Sequence, residues 1–293
     1  GVGKQTSRAR ICKTNSVLTT TSLSLKSSSA PEGPSVSSTP AHAVLCTPNK
    51  TYALRQVQTS NSVLLTQAFT HDAYDANGDQ LPPIQGLAAI ASCTATLELQ
   101  PLPTTSAIPY LRAALPIWHA PDEQAPPPLS LSLPFAQSRV KQALFDDIPL
   151  SQSECETSWR HLCAFVLENK SAFRPSAAAL VRLWRAISTA AYAEDFALDA
   201  QFLVENLWGC VADEGFPREL FDALLLRLVL QDDRDREAED GWMVLDRQEC
   251  VKWVGVMMLE ASAEGAKREM LTAGFSDAWR DALPEGWRRA AEL

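Results

Sequence analysis

Five prolines fall within sixteen residues, HAPDEQAPPPLSLSLP from His119 to Pro134, and they divide this chain more sharply than any other feature. Proline lacks a backbone N–H and fixes φ, so such a stretch fits neither a helix interior nor a central strand. It reads as a linker over 119–138. Across it the spacing of apolar residues changes from every second position to about every 3.6, so an α+β chain is expected, with β structure before the linker and helices after it.

Before the linker, Ala43 to Cys46 is short and apolar, and TPNK places Pro48 where a type I turn accepts it. Thr51 to Gln58 resumes with Tyr52 and Leu54 on one face, which predicts a hairpin. Thr59-Ser60-Asn61 then reads as a turn into SVLLT, with Val63 and Leu65. Further on CTATLELQ alternates, with Cys93, Ala95, Leu97 and Leu99 on one face. So few short strands leave unpaired edges, which soluble proteins cover or pair. A partner chain is therefore expected to complete a partial β-barrel, and Val44, Leu45, Tyr52, Leu54, Val63, Leu65, Leu97 and Leu99 are the candidate interface residues. IPYLRAALPIW reads as a short helix closing a β-rich domain over 41–118. Residues 1–40, rich in Ser, Thr and Pro, bury too little to offset ordering entropy and read as disordered, with one strand candidate at Ser22 to Lys26.

Beyond the linker, residues 139–293 read as helical. Ser151 and Glu154 form a capping box ahead of Trp159, Leu162, Cys163 and Val166 at i, i+3, i+4, i+7. Pro175 opens a helix whose face is Leu180, Leu183, Trp184, Ile187 and Ala191. LDAQFLVENLWG gives a third helix, ended by Gly209, and Pro217 opens a fourth. A polar loop then leads to a short strand, WMVL, and Asp246 and Glu249 cap a helix containing Val251, Val254, Met258 and Ala261. Helices followed by a loop and short strand outline winged-helix-like units. About two are expected, with a third beginning at FSDAWRDALPEGW and cut off by the C-terminus.

Charge narrows the function. Residues 1–134 hold 8 Lys and Arg against 7 Asp and Glu, so of the totals of 26 and 35 the remainder carries 18 and 28, a net −10. Bulk attraction to a phosphate backbone is not written into such a chain. No run of apolar residues reaches the length of a membrane span and no secretory leader is visible, so an intracellular protein without membrane contact is expected. The seven cysteines are scattered and never in C-x-x-C spacing; they read as buried small hydrophobes rather than a disulfide or zinc framework.

Motifs of chemistry are incomplete. GVGK lacks the upstream glycine and the following Ser or Thr of a phosphate loop. DANGD copies the first ligands of a calcium loop, but Gln80 and Gly86 stand where the motif needs Gly and Glu, so it reads as a polar hairpin tip. None of His42, His71, His119 and His161 has a second ligand at metal spacing. The Asn49-Lys50-Thr51 sequon reads as part of the hairpin turn. The acidic run Asp232 to Asp240 reads as a solvated wing loop. Trp159, Phe165, Trp184, Trp208, Phe221, Trp253 and Trp279 read as core packing rather than base stacking, and Arg288-Arg289 is too small a basic patch to specify a site. No enzyme, cofactor or metal is expected.

The landmarks AVLC (Ala43 to Cys46), KTYALR (Lys50 to Arg55) and TSNS (Thr59 to Ser62), followed by ATLELQPL and YLRAAL, resemble the defective in sister chromatid cohesion protein 1 family. LFDDIPLSQSE, RPSAAAL and VLDRQECVKWVGVMMLEASAE look like its helical part, so the resemblance spans about Ala41 to Trp287. The resemblance implies a non-catalytic, nuclear accessory subunit of an alternative replication-factor-C-like clamp loader, acting in DNA replication and sister chromatid cohesion. It implies shared β-barrels with a small partner subunit and the large subunit's C-terminal tail, docking on the catalytic subunit of DNA polymerase epsilon, and an indirect action on PCNA. DNA binding is not expected of this chain, because it ends where the family's later winged-helix units begin. The alternative is a winged-helix DNA-binding regulator outside a clamp loader, which would need a basic recognition helix.

Overall fold

Two strands of more than twenty residues each set the architecture of the N-terminal part. The computed structural model describes residues 24–27, 43–74, 77–102, 106–121, 123, 140–230, 241–264 and 272–292. The rest of the 1–40 segment, most of the proline-rich linker and the acidic run 232–240 lie outside the described residues. Strands β1 (Ser24–Ser27), β2 (Ala43–Cys46), β3 (Thr51–Tyr74) and β4 (Gln80–Pro101) form one antiparallel sheet in the order β1-β2-β3-β4. The expected hairpin is present, with Leu45 opposite Tyr52 and Cys46 opposite Thr51. Its turn is tied at both ends, since Thr47 N–H donates to the Lys50 carbonyl at 2.9 Å and Lys50 N–H to Thr47 Oγ1 at 2.9 Å.

Two expectations fail in this sheet. Thr59-Ser60-Asn61 does not turn the chain; β3 runs straight through it. Pairing with β4 continues on both sides, and the polar run is absorbed as an irregularity in which five steps along β3, Gln58 to Val63, match two along β4, Ala95 to Cys93. Long-range pairing thus overrides the local turn preference. β4 also begins at Gln80, well before CTATLELQ. Pro82 and Pro83 fit there because they fall in the irregularity between the His71–Ile84 and Ala73–Leu81 pairs, where neither has a ladder partner, and because β4 is an edge strand, so one of the two faces no strand on that side among the described residues. Of the DANGD segment, Asn77 to Asp79 lie exposed between the two strands, with Gly78 at φ +86°, and Asp75 and Ala76 lie outside the described residues.

The contacts divide the chain near residue 104, and the second unit runs from there to the C-terminus. It opens with α1 (Ile108–Ala114), β5 (Ile117–Trp118), α2 (Lys141–Asp147), α3 (Gln152–His161), β6 (Phe165–Val166) and β7 (Ala172–Pro175), the strands in the order β5-β7-β6. The same plan repeats in α4 (Ala177–Ala193), β8 (Phe202–Leu203), α5 (Val204–Val211), α6 (Arg218–Leu228) and β9 (Trp242–Met243), with β8 pairing β9 and Val229 bridging Leu245. These are two winged-helix-like units. A third element set follows, α7 (Arg247–Glu264), α8 (Thr272–Asp281) and a 3₁₀ turn over Glu285–Ala290.

Local chemistry explains most boundaries. Ser151 and Glu154 make the full reciprocal capping box at the start of α3. That helix stops at His161, short of the periodic Val166, because Cys163 takes φ +48° and closes the end: Cys163 N–H donates to Arg160 and Ala164 N–H to Trp159. Ser176, not Pro175, caps α4, its hydroxyl accepting from Ala179 N–H at 3.0 Å. Gly209 lies inside α5; the glycine that ends this segment is Gly215, at φ +80° after a 3₁₀ turn. Ile117–Trp118 leave the expected helix and pair parallel with Arg174–Pro175. Asp246 caps α7 by accepting from the Gln248 and Glu249 N–H groups.

Two cores fill these units, the larger also taking in Cys163 and Phe165 of the first unit. Leu111, Leu144, Phe145, Cys155 and Trp159 fill the first. Trp184, Leu183, Ile187, Leu207, Phe221 and Leu224 fill the second, which continues into Trp253 and Trp279. Trp184 is fully buried and donates its indole N–H to the Ala282 carbonyl at 2.8 Å, so its polar tip is satisfied. Six of the seven aromatics read as core are buried, Trp208 being partly buried against Phe221. Among the cysteines, Cys46, Cys155, Cys163 and Cys250 are buried and Cys210 is exposed, a correction to the reading of all seven as buried. Burial pushes the Cys163 thiol up to about 12 and raises that of Cys250.

Candidate partner-binding surface

In an antiparallel pair, residues directly opposite share a face. The register sets Leu45 opposite Tyr52 and Tyr52 opposite Pro101, then Leu54 opposite Leu99 and Gln56 opposite Leu97. Leu45, Tyr52, Leu54, Leu97 and Leu99 therefore line one face across three strands. Val44, opposite Ala53, is on the other face. Leu65 sits opposite Ala91, and Val63 holds the register position opposite Cys93.

Burial separates these residues into two groups. Val44 and Leu45 are buried within the sheet's four-stranded end. Tyr52, Leu54 and Leu65 are half-buried. Leu97 and Leu99 remain 50% and 47% exposed. The interface candidates thus include two residues that hold the sheet itself and two that present apolar surface to solvent. Sequence alternation places all of them on strands, but it cannot tell which strand another would cover.

Sequence reading missed the distal ribbon. Beyond the irregularity only β3 and β4 pair, and Leu64, Phe69, Tyr74, Leu87 and Ile90 are all exposed there, Leu87 to 72%. Phe69 opposes Gly86 and Leu87 opposes Ala68, so both faces of the ribbon carry exposed apolar groups. Phe69 lies across Gly86 so closely that a Cβ there would sit 2.8 Å from the ring. At about 3.3 Å per residue the 24 residues of β3 extend on the order of 75 Å. A two-stranded ribbon is at best marginally stable in water without a third strand or a packed face. The outer edge of β4 has no neighbouring strand among the described residues. Free edge and open apolar faces together are what an added strand requires: main-chain donors and acceptors for pairing, and side chains for specificity.

Among the described residues no group of His, Cys, Asp and Glu could hold a metal ion, and no helix is long and apolar enough to cross a membrane. In the second winged unit α6 stands where such folds place a recognition helix. Its arginines are engaged internally. Arg218 pairs with Glu205 at 2.9 Å and Asp222 at 2.8 Å and lies over the Trp208 ring, and Arg227 pairs with Glu249 at 2.7 Å. The hydrogen bond to Glu205 raises the Arg218 pKa, and that to Arg218 lowers the Glu205 pKa.

The sequence profile of one family, described as sister chromatid cohesion protein Dcc1, matches residues 16–293. No curated protein matches the chain.

Proposed function

This chain belongs to the sister chromatid cohesion protein Dcc1 family and has its role in sister chromatid cohesion; within that role, we propose that it is a non-catalytic accessory subunit of an alternative replication-factor-C-like clamp loader. It joins the small barrel-forming subunit and the C-terminal tail of the large subunit through its sheet. The module so formed docks on the catalytic subunit of DNA polymerase epsilon and acts on PCNA indirectly, in the nucleus.

One observation carries this reading: the β3–β4 ribbon, with its exposed Leu97 and Leu99 and a β4 edge that has no neighbouring strand among the described residues. Strand addition at that edge pairs the backbone, and the two leucines supply apolar contact. The competing reading, a DNA-binding regulator built on the winged units, is disfavoured by the ion-paired arginines of α6 and by the net −10 of residues 135–293.

Light scattering on size-exclusion peaks tests the assignment. Coexpression with the two barrel-forming partners is expected to give one stoichiometric three-chain peak. A monodisperse chain that ignores both partners would overturn it.

A further inference from the structure

A groove in the helical unit collects charge opposite in sign to the rest of that unit. It encloses about 510 Å³, and its floor is the outward side of α7, with Trp253, Val256, Met257 and Ala263. Four permanent cations reach it from four elements: Arg112 of α1, Arg174 of β7, Arg227 of α6 and Lys252 of α7. Among the described residues two carboxylates line it, Glu249 and Glu260. Glu249 is held by Arg227, while the Arg112–Glu260 pair is 3.5 Å long and half-exposed, a geometry of little strength. Arg227 also keeps a buried Nε with no hydrogen-bond partner among the described residues.

The floor is equally unusual. Helix α7 carries apolar groups on its outer side as well as its inner one: Val251, Trp253, Val254 and Met258 are buried, while Val256 and Leu259 stay 50% and 53% exposed among Glu249, Lys252 and Glu260. The outer face of an amphipathic helix is ordinarily polar, so two half-exposed aliphatic side chains there are an uncovered apolar surface. The cations sit beside the uncovered part.

We propose that this groove docks a short acidic segment of a partner protein, an apolar side chain of which seats on Val256 and Met257 while its carboxylates meet Arg112 and Lys252. Charge complementarity selects the occupant. A nucleic-acid backbone would have to track across a unit of net negative charge, and its phosphates gain nothing from an apolar floor. A peptide with a few carboxylates needs only the local field and uses the floor. His161, at the groove's mouth, supplies an internal reporter: partial desolvation, with the charges of Arg227 and Arg112, holds its pKa below the ordinary histidine value. A bound carboxylate offsets those charges and moves it upward.

The experiment is fluorescence anisotropy with the full chain and a short labelled peptide of Glu, Asp and Leu, beside the same peptide with Lys in place of its acids. Saturable binding of the acidic peptide alone is expected. Lys252→Glu, on an exposed side chain, should weaken it by about tenfold or more, Val256→Asp should do the same, and both variants should melt with the parent protein. The peptide should also raise the His161 pKa in an NMR titration. Absence of saturable binding, equal binding to both variants, or a labelled single-stranded oligonucleotide binding more tightly and losing affinity with Lys252→Glu would each overturn the proposal; the last would make the groove a nucleic-acid surface. The proposal does not depend on strand addition at β4, since neither readout involves the sheet.

Discussion

Replacing Leu97 and Leu99 together with Asp separates assembly from folding. Both side chains are about half exposed on the face shared with Tyr52 and Leu54. The exposed half of a leucine is about 80 Å², which at about 25 cal/mol/Å² contributes about 2 kcal/mol when covered. Two leucines give about 4 kcal/mol, or about a thousandfold in affinity, and two carboxylates buried in their place would add a desolvation penalty. The other half of each side chain already packs in the sheet, so the isolated chain should lose some stability, but less than if a buried residue were replaced. Leu45 makes the contrast: it is buried, so Leu45→Asp would disrupt the sheet whether or not a partner exists. The assay is co-purification with the two barrel-forming partners at a series of concentrations, with circular dichroism on the variant alone. Retained stoichiometric assembly by a folded Leu97→Asp, Leu99→Asp chain would refute the shared-barrel reasoning.

Gly255 should tolerate no side chain. A Cβ there would lie 2.9 Å from the Trp279 ring, whose indole N–H donates to the Val251 carbonyl, so Gly255→Ala should push α8 off α7 and destabilise the unit by about 1–3 kcal/mol; an unchanged thermal midpoint would refute this. Glu123 predicts an acid-side loss of stability. Burial pushes its carboxyl up, but hydrogen bonds from Ser176, His119 and the Ala120 N–H outweigh that and hold its pKa below the ordinary 4.5. The stabilisation is therefore full above 4.5 and is lost as pH falls through the lower folded value. Denaturant midpoints measured down an acid series should show a shallower acid slope in Glu123→Gln, and parallel curves would contradict it.

How much was legible in the sequence depended on whether the determining contacts were local. The Ser151–Glu154 box and the face of α4 from Leu180 to Ala191 are set within a turn or two of helix, and both were readable. Thr59-Ser60-Asn61 reads as a turn for the same local reasons, yet β4 continues to pair on either side of it. The first half of β4 was hidden by Pro82 and Pro83, which an edge strand accepts at an irregularity, and by Gly86, whose place is set by the Phe69 ring lying across it. Cys163 at positive φ carries no compositional cue, since glycine is the usual occupant. The candidate interface residues were found on strands by alternation, but the exposed distal ribbon was not, because exposure depends on how many neighbours a strand acquires. The groove cations were invisible for a related reason: Arg112, Arg174, Arg227 and Lys252 are far apart in sequence and meet only through packing of the winged units.

The interruptions in the β3–β4 ladder bear on fidelity of assembly. At Leu65/Thr66 the extra residue is on β4, where Ala91 and Ala89 pair with consecutive residues and Ile90 is passed over. An incoming strand that runs the length of this edge meets a break in hydrogen-bond spacing at Ile90, and near its beginning, where Pro82 and Pro83 are adjacent, one of them leaves a donor position empty on the open side. A generic extended peptide, or a second copy in arbitrary alignment, forfeits bonds at both places. A chain whose own kink coincides with Ile90 recovers the bonds at that break, so the edge favours one alignment of an added strand over the others.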